Sequence, residues 1–530
     1  MAPDLIADPE TDPTATYAVD PALVRRLARR VVAGPRAEQH TSHTPLTGAP
    51  LATLPLSTAA DVVMAVDAAR TAQRSWARTP MELRERIFLR YHDLVLERQV
   101  QLLDTVQLES GKTRLQAFEE VADVALVARH YARSAAAYLR PRRRGGLFPV
   151  LTQSVEHHHP RGVVGIVSPW NYPLSLAITD AIPALMAGNA VVLRPDLQAS
   201  LTALQGVQLL TEAGLPESVL QVVLGDGPTV GQAVVDLADY VCFTGSTATG
   251  RRVATSVASR LTGFSLELGG KNSMYVAEDA SLDKAVEGAV RACFSSAGQL
   301  CISVERLLVH ESVADEFTRR FVAAVKAMRL GADLAYGVDM GSLVSAAQLA
   351  RVTAHVDDAR AKGARVLTGG RPRPDLGPYF YEPTVLEGVS AAMDLRDDET
   401  FGPVVAIYRV QTDEEAVRFA NDTDYGLNAA VYTRDVARGR RIAAGIQAGT
   451  VNVNEGYAAA WGSVAAPMGG MKQSGMGRRH GAEGILKYTE SQNVTAQYLL
   501  PVAPPRGVSD ETYARLLTGA LRALKAMGRR

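Results

Sequence analysis

Residues 162–169 read GVVGIVSP and residues 189–195 read NAVVLRP, and the same texture returns as VLQVVLG at 219–225 and DYVCFTG at 239–245. Each run is short and apolar and ends at a turn, which is typical of a buried strand. The stretches between them, 177–187, 200–213 and 229–237, have a helical pattern. Strands that alternate with helices predict βαβ units, a parallel sheet and an α/β fold. Ligands of such sheets bind beyond the carboxyl ends of the strands, so the strand ends are where function is expected.

The segments before this region have other patterns. Residues 1–20 are rich in Pro, Asp and Thr and are predicted to form a mobile tail. Residues 61–139 predict several helices, divided at Pro80 and Gly111, which we interpret as packing on the sheet without supplying catalytic groups. Residues 151–158 predict a strand. The adjoining His157–His159 run suggests a metal, but successive strand side chains point to opposite faces, so no metal site is expected.

Composition excludes several classes of function. Of 530 residues 47% are apolar and 21% charged, with 56 acidic and 56 basic side chains. This balance provides no field to attract nucleic acid or an anionic membrane. Three cysteines argue against a disulfide framework and indicate a reducing compartment, and no long apolar run predicts a membrane span. The first residues lack the pattern of a signal peptide, so a cytoplasmic protein without integral membrane association is expected.

Four motifs follow the predicted strands. PWNYP at 169–173 holds an amide between two prolines, suited to capping a turn or to donating to an oxyanion. Arg194-Pro195-Asp196-Leu197 presents a cation to a ribose or phosphate oxygen. The glycines of 225–231 have one residue too many for a dinucleotide fingerprint. FTGSTATG at 243–250 opens a helix whose N–H groups and hydroxyls can hold a pyrophosphate.

Two further residues are candidates for catalysis. Glu267, in LELGGK, lies between apolar neighbours, where desolvation would raise its pKa toward general-base work; a surface or capping role fits the local sequence equally well. Cys301 follows Ser-Ala-Gly in RACFSSAGQLCIS at 291–303. Backbone N–H groups of this loop can lower the pKa of a thiol and make it a nucleophile, whereas most free cysteines only pack. Cys242 and Cys293 are interpreted as packing residues.

Six motifs follow one another along the chain: PWNYP, FTGSTATG, ELGGK, GQLCIS, ETFGP and PMGGMKQSG. Over residues 45–495 this set resembles the NAD(P)-dependent aldehyde dehydrogenase superfamily, and Cys301 lies 34 positions after Glu267, as is usual there. Within the superfamily the chain is most similar to actinobacterial-type succinate-semialdehyde dehydrogenases assigned to NADP. The resemblance implies the aldehyde dehydrogenase fold, with a Rossmann-like cofactor domain, an α/β catalytic domain and a small β oligomerisation extension.

The resemblance also implies a mechanism and its residues. Cys301 attacks the aldehyde to form a thiohemiacetal, Asn171 and the Cys301 N–H stabilise the oxyanion, and Glu267 activates the water that hydrolyses the thioester. Glu399 and Phe401 are expected at the nicotinamide ribose and ring. The other residues expected at the cofactor are Trp170, Asn171, Arg194, Pro195, Asp196, Leu197, Gly245, Ser246 and Leu268.

The chain departs from the family at the cofactor and substrate sites. Leu197 replaces a Glu that would repel a 2′-phosphate, and Arg194 offers a fork suited to phosphate, so NADP is expected, with NAD as the alternative. Thr179 and Ser295 occupy the positions where related enzymes for succinate semialdehyde carry arginines. The loop 456–467 is therefore the candidate for holding the substrate, through Tyr457, Trp461 and Ser463. Ser303 replaces a second cysteine of some relatives, which predicts no local disulfide.

The resemblance further implies an organisation and an assembly, a homodimer or homotetramer. The expected parts are a tail of 1–20, a cofactor-binding domain of 21–146 and 166–268, a catalytic domain of 269–486, oligomerisation strands within 147–165 and 487–502, and a C-terminal helical tail of 503–530. In that tail Ser509 is expected to cap a helix from Asp510 to about Met527. This helix would dock on its own or a neighbouring subunit, touch a membrane surface peripherally, or gate the substrate tunnel.

The sequence thus predicts oxidation of a small aldehyde, succinate semialdehyde first, to its carboxylic acid. A broad-specificity dehydrogenase of aliphatic, aromatic or other ω-semialdehydes is the alternative, because the usual arginines are missing. A CoA-acylating enzyme is disfavoured by Glu267. A non-catalytic protein that reuses the fold is disfavoured by the presence of Cys301, Glu267 and Asn171 together.

Overall fold

The computed structural model describes residues 18–147, 151–498 and 502–528. It divides into two compact units. The larger comprises the described residues up to Tyr138 together with Pro160–Tyr488. The smaller comprises the described residues of 139–159 and those from Thr489 onward. Most of the tail predicted over residues 1–20 lies outside the described residues.

The helices in chain order are α1 Pro21–Ala28, α2 Ala59–Trp76, α3 Met81–Glu97, α4 Gln99–Ser110, α5 Arg114–Leu139, α6 Pro173–Ile178, α7 Ala181–Met186, α8 Ser200–Glu212, α9 Gln232–Leu237, α10 Thr247–Ala258, α11 Leu282–Phe294, α12 Glu311–Lys326, α13 Ala346–Ala361, α14 Asp413–Asn421, α15 Val436–Gly445, α16 Ala458–Gly462, α17 Gly481–Leu486 and α18 Asp510–Ala526. The strands are β1 Gln39–His43, β2 Pro50–Pro55, β3 Arg142–Arg144, β4 Thr152–Pro160, β5 Val163–Ser168, β6 Ala190–Pro195, β7 Leu220–Val222, β8 Tyr240–Thr244, β9 Gly263–Glu267, β10 Asn272–Val276, β11 Val304–His310, β12 Arg365–Thr368, β13 Thr384–Glu387, β14 Val404–Val410, β15 Tyr425–Gly426, β16 Asn428–Tyr432, β17 Thr450–Val453, β18 Met471–Lys472, β19 Gly475–Met476 and β20 Thr489–Gln497.

The four apolar runs between residues 162 and 245 form neighbouring strands of one six-stranded sheet. Its order is β19-β9-β8-β5-β6-β7, and the five strands from β9 to β7 are mutually parallel. Strand β5 is buried along its whole length, as expected for a parallel sheet covered on both faces. The predicted βαβ architecture is confirmed. It brings the carboxyl ends of β5, β6, β8 and β9 to one edge.

The second sheet of the larger unit has seven strands in the order β12-β13-β14-β11-β10-β16-β17, of which only β12 runs antiparallel to its neighbour. Its apolar core is closed by α11 and α12, whose phenylalanines stack in pairs, Phe294 on Phe321 and Phe317 on Phe321. This core supports the loop that follows α11, where Cys301 lies.

Local predictions differ from the structure mainly at element boundaries. The helix expected over 177–187 is two short helices, α6 and α7, and the one expected over 229–237 begins as a π-helical turn, Gly227–Gly231. The region 61–139 forms α2 to α5, and Gly111, whose left-handed φ of 74° suits glycine, caps the C-terminus of α4. In the smaller unit β4 pairs with β3, and β20 with β4. Ser509 caps α18 through the N–H of Thr512, as predicted.

Among the helices of the described residues, none has the length and apolar character needed to cross a bilayer.

Candidate active site

A cavity of about 200 Å³ lies at the carboxyl edge of the six-stranded sheet. It gathers residues from motifs far apart in the sequence. Those predicted from the sequence are Trp170, Asn171, Gly245, Ser246, Glu267, Leu268, Cys301, Glu399 and Phe401. Gln348 and Arg351 of α13 also line it; neither was predicted, because nothing in the local sequence marks them. The cavity thus joins the predicted nucleophile, amide donor and base.

The loop that leads to Cys301 has an unusual backbone conformation. Ser296 and Ala297 have left-handed φ angles of 52° and 53°, and Gly298 follows at 71°. A side chain at position 298 would collide with the carbonyl oxygen of Gly402. The Ser296 hydroxyl lies 3.1 Å from that of Tyr172, which helps to hold the turn. Strained backbone of this kind is found where surrounding structure positions a functional group, here the thiol.

The expectation that the loop lowers the pKa of Cys301 is wrong for this structure. Burial raises the pKa of its thiol to about 12, and the carboxylates of Glu267 and Glu399 act in the same direction. A thiolate is disfavoured both by desolvation and by adjacent negative charge, and the N–H groups of the turn do not outweigh these effects. The resting thiol is therefore protonated, and its activation requires a base.

Glu267 is suited to be that base. It ends β9, is buried, and its Oε1 has no hydrogen-bond partner among the described residues. Burial raises the pKa of its carboxyl to about 7, while Arg479 opposes this rise. The raised pKa expected from its apolar neighbours is confirmed. A carboxyl group half ionised near neutral pH, with one oxygen free, can take a proton from a thiol or a water.

Asn171 is held from both sides. Its Nδ2 donates to the carbonyl of Gln299 at 3.0 Å, which leaves the second amide hydrogen for a ligand. The main-chain carbonyl of Asn171 accepts from Lys112 Nζ at 2.7 Å. Lys112 also pairs with the fully buried Glu120 at 2.6 Å, and Glu120 accepts from the first N–H groups of α6.

Lys112 and Glu120 correct the sequence interpretation, which assigned residues 61–139 no part in the site. They position the amide although neither lies near it in sequence. Lys112 directly follows Gly111 at the end of α4 and Glu120 lies eight positions further on, within α5, and this spacing is only a weak signal in the sequence.

Glu399 and Phe401 are positioned by a second buried pair. Glu305 accepts from the N–H groups of Thr400 and Phe401 at about 3 Å and pairs with Lys271, which in turn donates to the carbonyl of Asp398. Burial raises the pKa of the Glu399 carboxyl to about 7, and the nearby Glu305 adds to this. The Lys of ELGGK therefore serves to place the ETFGP loop.

The remaining wall of the cavity fits a dinucleotide. Trp170 and Phe401 meet edge to face with ring centroids 5.7 Å apart, which offers a flat ligand apolar contacts on one side. Gly245 and Ser246 lead into α10, a helix of 12 residues whose N-terminus Ser246 caps. A helix N-terminus presents N–H groups and positive potential to a pyrophosphate.

Arg194 is less available than its sequence suggested. Its Nε and Nη2 both donate to the carbonyl of Gly225, at 3.0 and 2.6 Å, and its Nη1 lies 3.9 Å from Asp196. The fork expected to meet a phosphate is thus largely occupied by the protein itself. Pro195 ends β6, Asp196 caps the short turn that starts at Leu197, and all four residues lie outside the lining of the cavity.

The residues predicted to hold the substrate separate into two groups. Tyr457 is buried in an apolar cluster with Tyr172 and Leu176, and Cys301 and Trp461 pack against this cluster. Trp461 also meets Tyr172 edge to face at 6.3 Å. Ser463, in contrast, is exposed and its hydroxyl donates to the Ala459 carbonyl.

The two positions where arginines were expected are hydrogen-bonded within the protein. Thr179 donates to the Ser175 carbonyl at 2.7 Å, and the Ser295 hydroxyl lies 3.0 Å from that of Tyr457.

Other candidate sites have structural settings. His157 and His159 stack with centroids 6.3 Å apart, and within the described ranges no group of three His, Cys, Asp or Glu side chains could hold a metal. Cys242 and Cys293 are buried free thiols. Ser303 donates to the carbonyls of Ala292 and Cys293.

The fold and cavity define a class: an α/β protein in which a thiol, an amide and a buried carboxyl group line one cavity at the carboxyl edge of a parallel sheet, as expected of a cofactor-dependent oxidoreductase. Comparison with known proteins gives the family. The protein-family model described as "Aldehyde dehydrogenase family" matches residues 32–494 of the sequence. The chain therefore belongs to the aldehyde dehydrogenase family.

Several relatives are similar along most of their length. A proposed succinate-semialdehyde dehydrogenase (NADP+) of Mycolicibacterium smegmatis is 54% identical over 481 residues, which cover 91% of this chain and 93% of that protein. Betaine aldehyde dehydrogenase 1 of Oryza sativa subsp. japonica is 38% identical, covering 85% and 90%. The crystal structure of betaine aldehyde dehydrogenase from Staphylococcus aureus in complex with NAD+ superposes with a TM-score of 0.85 at 30% identity, covering 91% and 97%. The aldehyde dehydrogenase fold and the NAD(P)-dependent aldehyde oxidation predicted from the motifs are confirmed.

Proposed function

We propose that this aldehyde dehydrogenase oxidises succinate semialdehyde to succinate with NADP+, as a cytoplasmic homodimer or homotetramer. The 54% identical relative named for this substrate and cofactor supports the proposal. The proposed chemistry rests on one observation: Cys301 and Glu267 line the same cavity, and Oε1 of Glu267 has no hydrogen-bond partner among the described residues.

Acylation begins with proton transfer. Glu267 takes the proton of the Cys301 thiol, and the sulfur adds to the aldehyde carbon to form a thiohemiacetal. The second hydrogen of the Asn171 amide and the N–H of Cys301 stabilise the negative oxygen. When bound, NADP+ supplies a nicotinamide that accepts the hydride, and the carbon becomes a thioester.

Deacylation returns the enzyme to its resting form. Once Glu267 has released its first proton to solvent, its carboxylate takes a proton from water, and the hydroxide formed attacks the thioester carbon. The carbon–sulfur bond breaks, the acid leaves, and the sulfur regains a proton. Glu267 thus serves both halves of the reaction.

A second candidate function is broad oxidation of aliphatic, aromatic or other ω-semialdehydes. The uncharged Thr179 and Ser295, together with the apolar cluster of Tyr172, Leu176 and Tyr457 beside Cys301, favour it. Kinetics with matched aldehydes and both cofactors discriminate the candidates. Succinate semialdehyde with NADP+ is expected to give the highest kcat/KM; neutral aliphatic aldehydes outrunning it would reject the substrate, and equal rates with NAD+ would reject the cofactor preference.

The occupied fork of Arg194 makes the cofactor comparison informative. If Arg194 reads the 2′-phosphate through Nη1 alone, Arg194→Lys is expected to keep most of the NADP+ preference. Since the Gly225 carbonyl then loses both of its Arg194 donors, Nε and Nη2, thermal unfolding of the variant should be measured in parallel.

A further inference from the structure

Tyr457 connects the apolar cluster beside Cys301 to a polar group at its hydroxyl end. Its ring is buried in the cluster that Cys301 contacts. Its hydroxyl lies 3.0 Å from Ser295 Oγ and 3.0 and 3.2 Å from the two carboxylate oxygens of Glu119. The guanidinium of Arg291 lies over the ring, 5.5 Å from its centroid. One side chain therefore spans from the surroundings of the nucleophile to a group that contains a cation and an acid.

Arg291 interacts with the Tyr457 hydroxyl and makes only a long contact with an acid, so part of its guanidinium is left for an anion. It lies in the last turn of α11, and its side chain is 51% exposed. Its contact with Glu455 measures 3.6 Å, well beyond the roughly 2.7–2.9 Å of a charge-assisted hydrogen bond. It is also the one cation among the described residues that line a second cavity, of about 360 Å³, together with Glu119 and Ser295. A carboxylate that enters here can form the direct, bidentate bond that Glu455 does not.

We propose that Arg291, with the hydroxyls of Ser295 and Tyr457, binds the ω-carboxylate of the aldehyde, and that Glu119 opposes this binding. The inference rests on the proposed succinate semialdehyde activity. It explains how a substrate carboxylate is held although Thr179 and Ser295 stand where arginines were expected. Arg291 precedes Ser295 by one helical turn, so the cation reaches the same region from a different position in the chain.

Glu119 limits the affinity. Its carboxylate oxygens lie 3.0 and 3.2 Å from the same Tyr457 hydroxyl. Glu287 and Asp339 line the same cavity and add negative potential. A substrate carboxylate close to ionised Glu119 is repelled, so removing this charge should improve binding. Charge selection for the ω-group is thus a balance between Arg291 and three acidic side chains, of which Glu119 is the one that contacts the Tyr457 hydroxyl.

The test compares kcat/KM for succinate semialdehyde, for butanal of equal length without charge, and for 4-aminobutanal. In R291Q the ratio of kcat/KM for succinate semialdehyde over butanal is expected to fall about tenfold, through KM. In E119Q the same ratio is expected to rise severalfold. R319Q is the matched control, because Arg319 lies on the exposed face of α12 and pairs with Glu316; its ratio should stay within about twofold of that of the original chain.

Three outcomes overturn the inference. One is an equal loss for both aldehydes in R291Q, which indicates a structural role; another is no gain in E119Q. The third is 4-aminobutanal as the best substrate with a loss in E119Q, which assigns the group to a cation. If succinate semialdehyde is not oxidised while butanal is, the proposed substrate fails separately. The five-carbon ω-carboxylate aldehyde, glutarate semialdehyde, then replaces it in the same ratios, so the roles of Arg291 and Glu119 are still decided.

Discussion

The pH dependence of turnover tests the role of Glu267 directly. Burial raises the pKa of its carboxyl to about 7, and the base is active only when ionised. About a tenth of Glu267 is then ionised at pH 6 and about nine-tenths at pH 8, so a rate that depends on it rises about tenfold between these values. A carboxyl with its ordinary pKa would be ionised throughout this range and would give a flat profile. Cys301, with a pKa of about 12, does not titrate here.

The assay follows formation of the reduced nicotinamide at saturating cofactor and gives kcat/KM for the aldehyde between pH 5.5 and 8.5, a range chosen to bracket about 7, because kcat/KM reports ionisation before the aldehyde binds. Glu267→Gln keeps the shape of the side chain and removes its basic oxygen. We expect kcat to fall by about 10²–10⁴ and the limb near pH 7 to disappear.

Glu399→Gln is the necessary control, since burial also raises the pKa of Glu399 to about 7. Its carboxylate accepts from the N–H of Gly270 in the predicted cofactor region. This variant should therefore change the KM for cofactor and keep the limb. A limb that survives in Glu267→Gln, or that vanishes only in Glu399→Gln, would refute the assignment of the base.

Three further predictions concern the groups around the base. Cys301→Ser should abolish aldehyde oxidation because a hydroxyl is a far weaker nucleophile than a thiol, whereas Cys293→Ala, in the core, should keep kcat; full activity of Cys301→Ser would remove the basis of the mechanism. Asn171→Ala should lower kcat about 10²–10³-fold with little change in the unfolding midpoint, and a loss confined to KM would argue against an oxyanion role. Lys112→Met should destabilise the fold by about 3–5 kcal/mol in urea unfolding, since it leaves Glu120 buried and unpaired, and adding Glu120→Gln should restore part of this; an additive double variant would contradict the pairing.

The architecture of the six-stranded sheet could be predicted from residues 162–245 because buried parallel strands have a recognisable local sequence pattern. Apolar runs of β-branched residues ended by turns identified β5, β6 and β8, although β7 proved to be only three residues long. Boundaries were less accurate. The helix predicted over 177–187 is interrupted at Thr179–Asp180, where Asp180 turns inward to pair with Arg479 and Lys487. A buried charge with partners about 300 positions away leaves no local pattern.

The amino-acid sequence alone determined which chemical groups this protein carries for its function. These are the thiol, the carboxyl, the amide and the Gly/Ser/Thr turn, each recognisable from its neighbours. Only the tertiary structure decided how these groups behave. Lys112 reaches Asn171 across 59 positions, Gly225 occupies the fork of Arg194 across 31, and Glu119 meets Tyr457 across 338. The pKa of Cys301 rises because carboxylates from two other segments and the loss of water act on it together. Desolvation and charge are sums over spatial neighbours, and the chain acquires those neighbours only by folding.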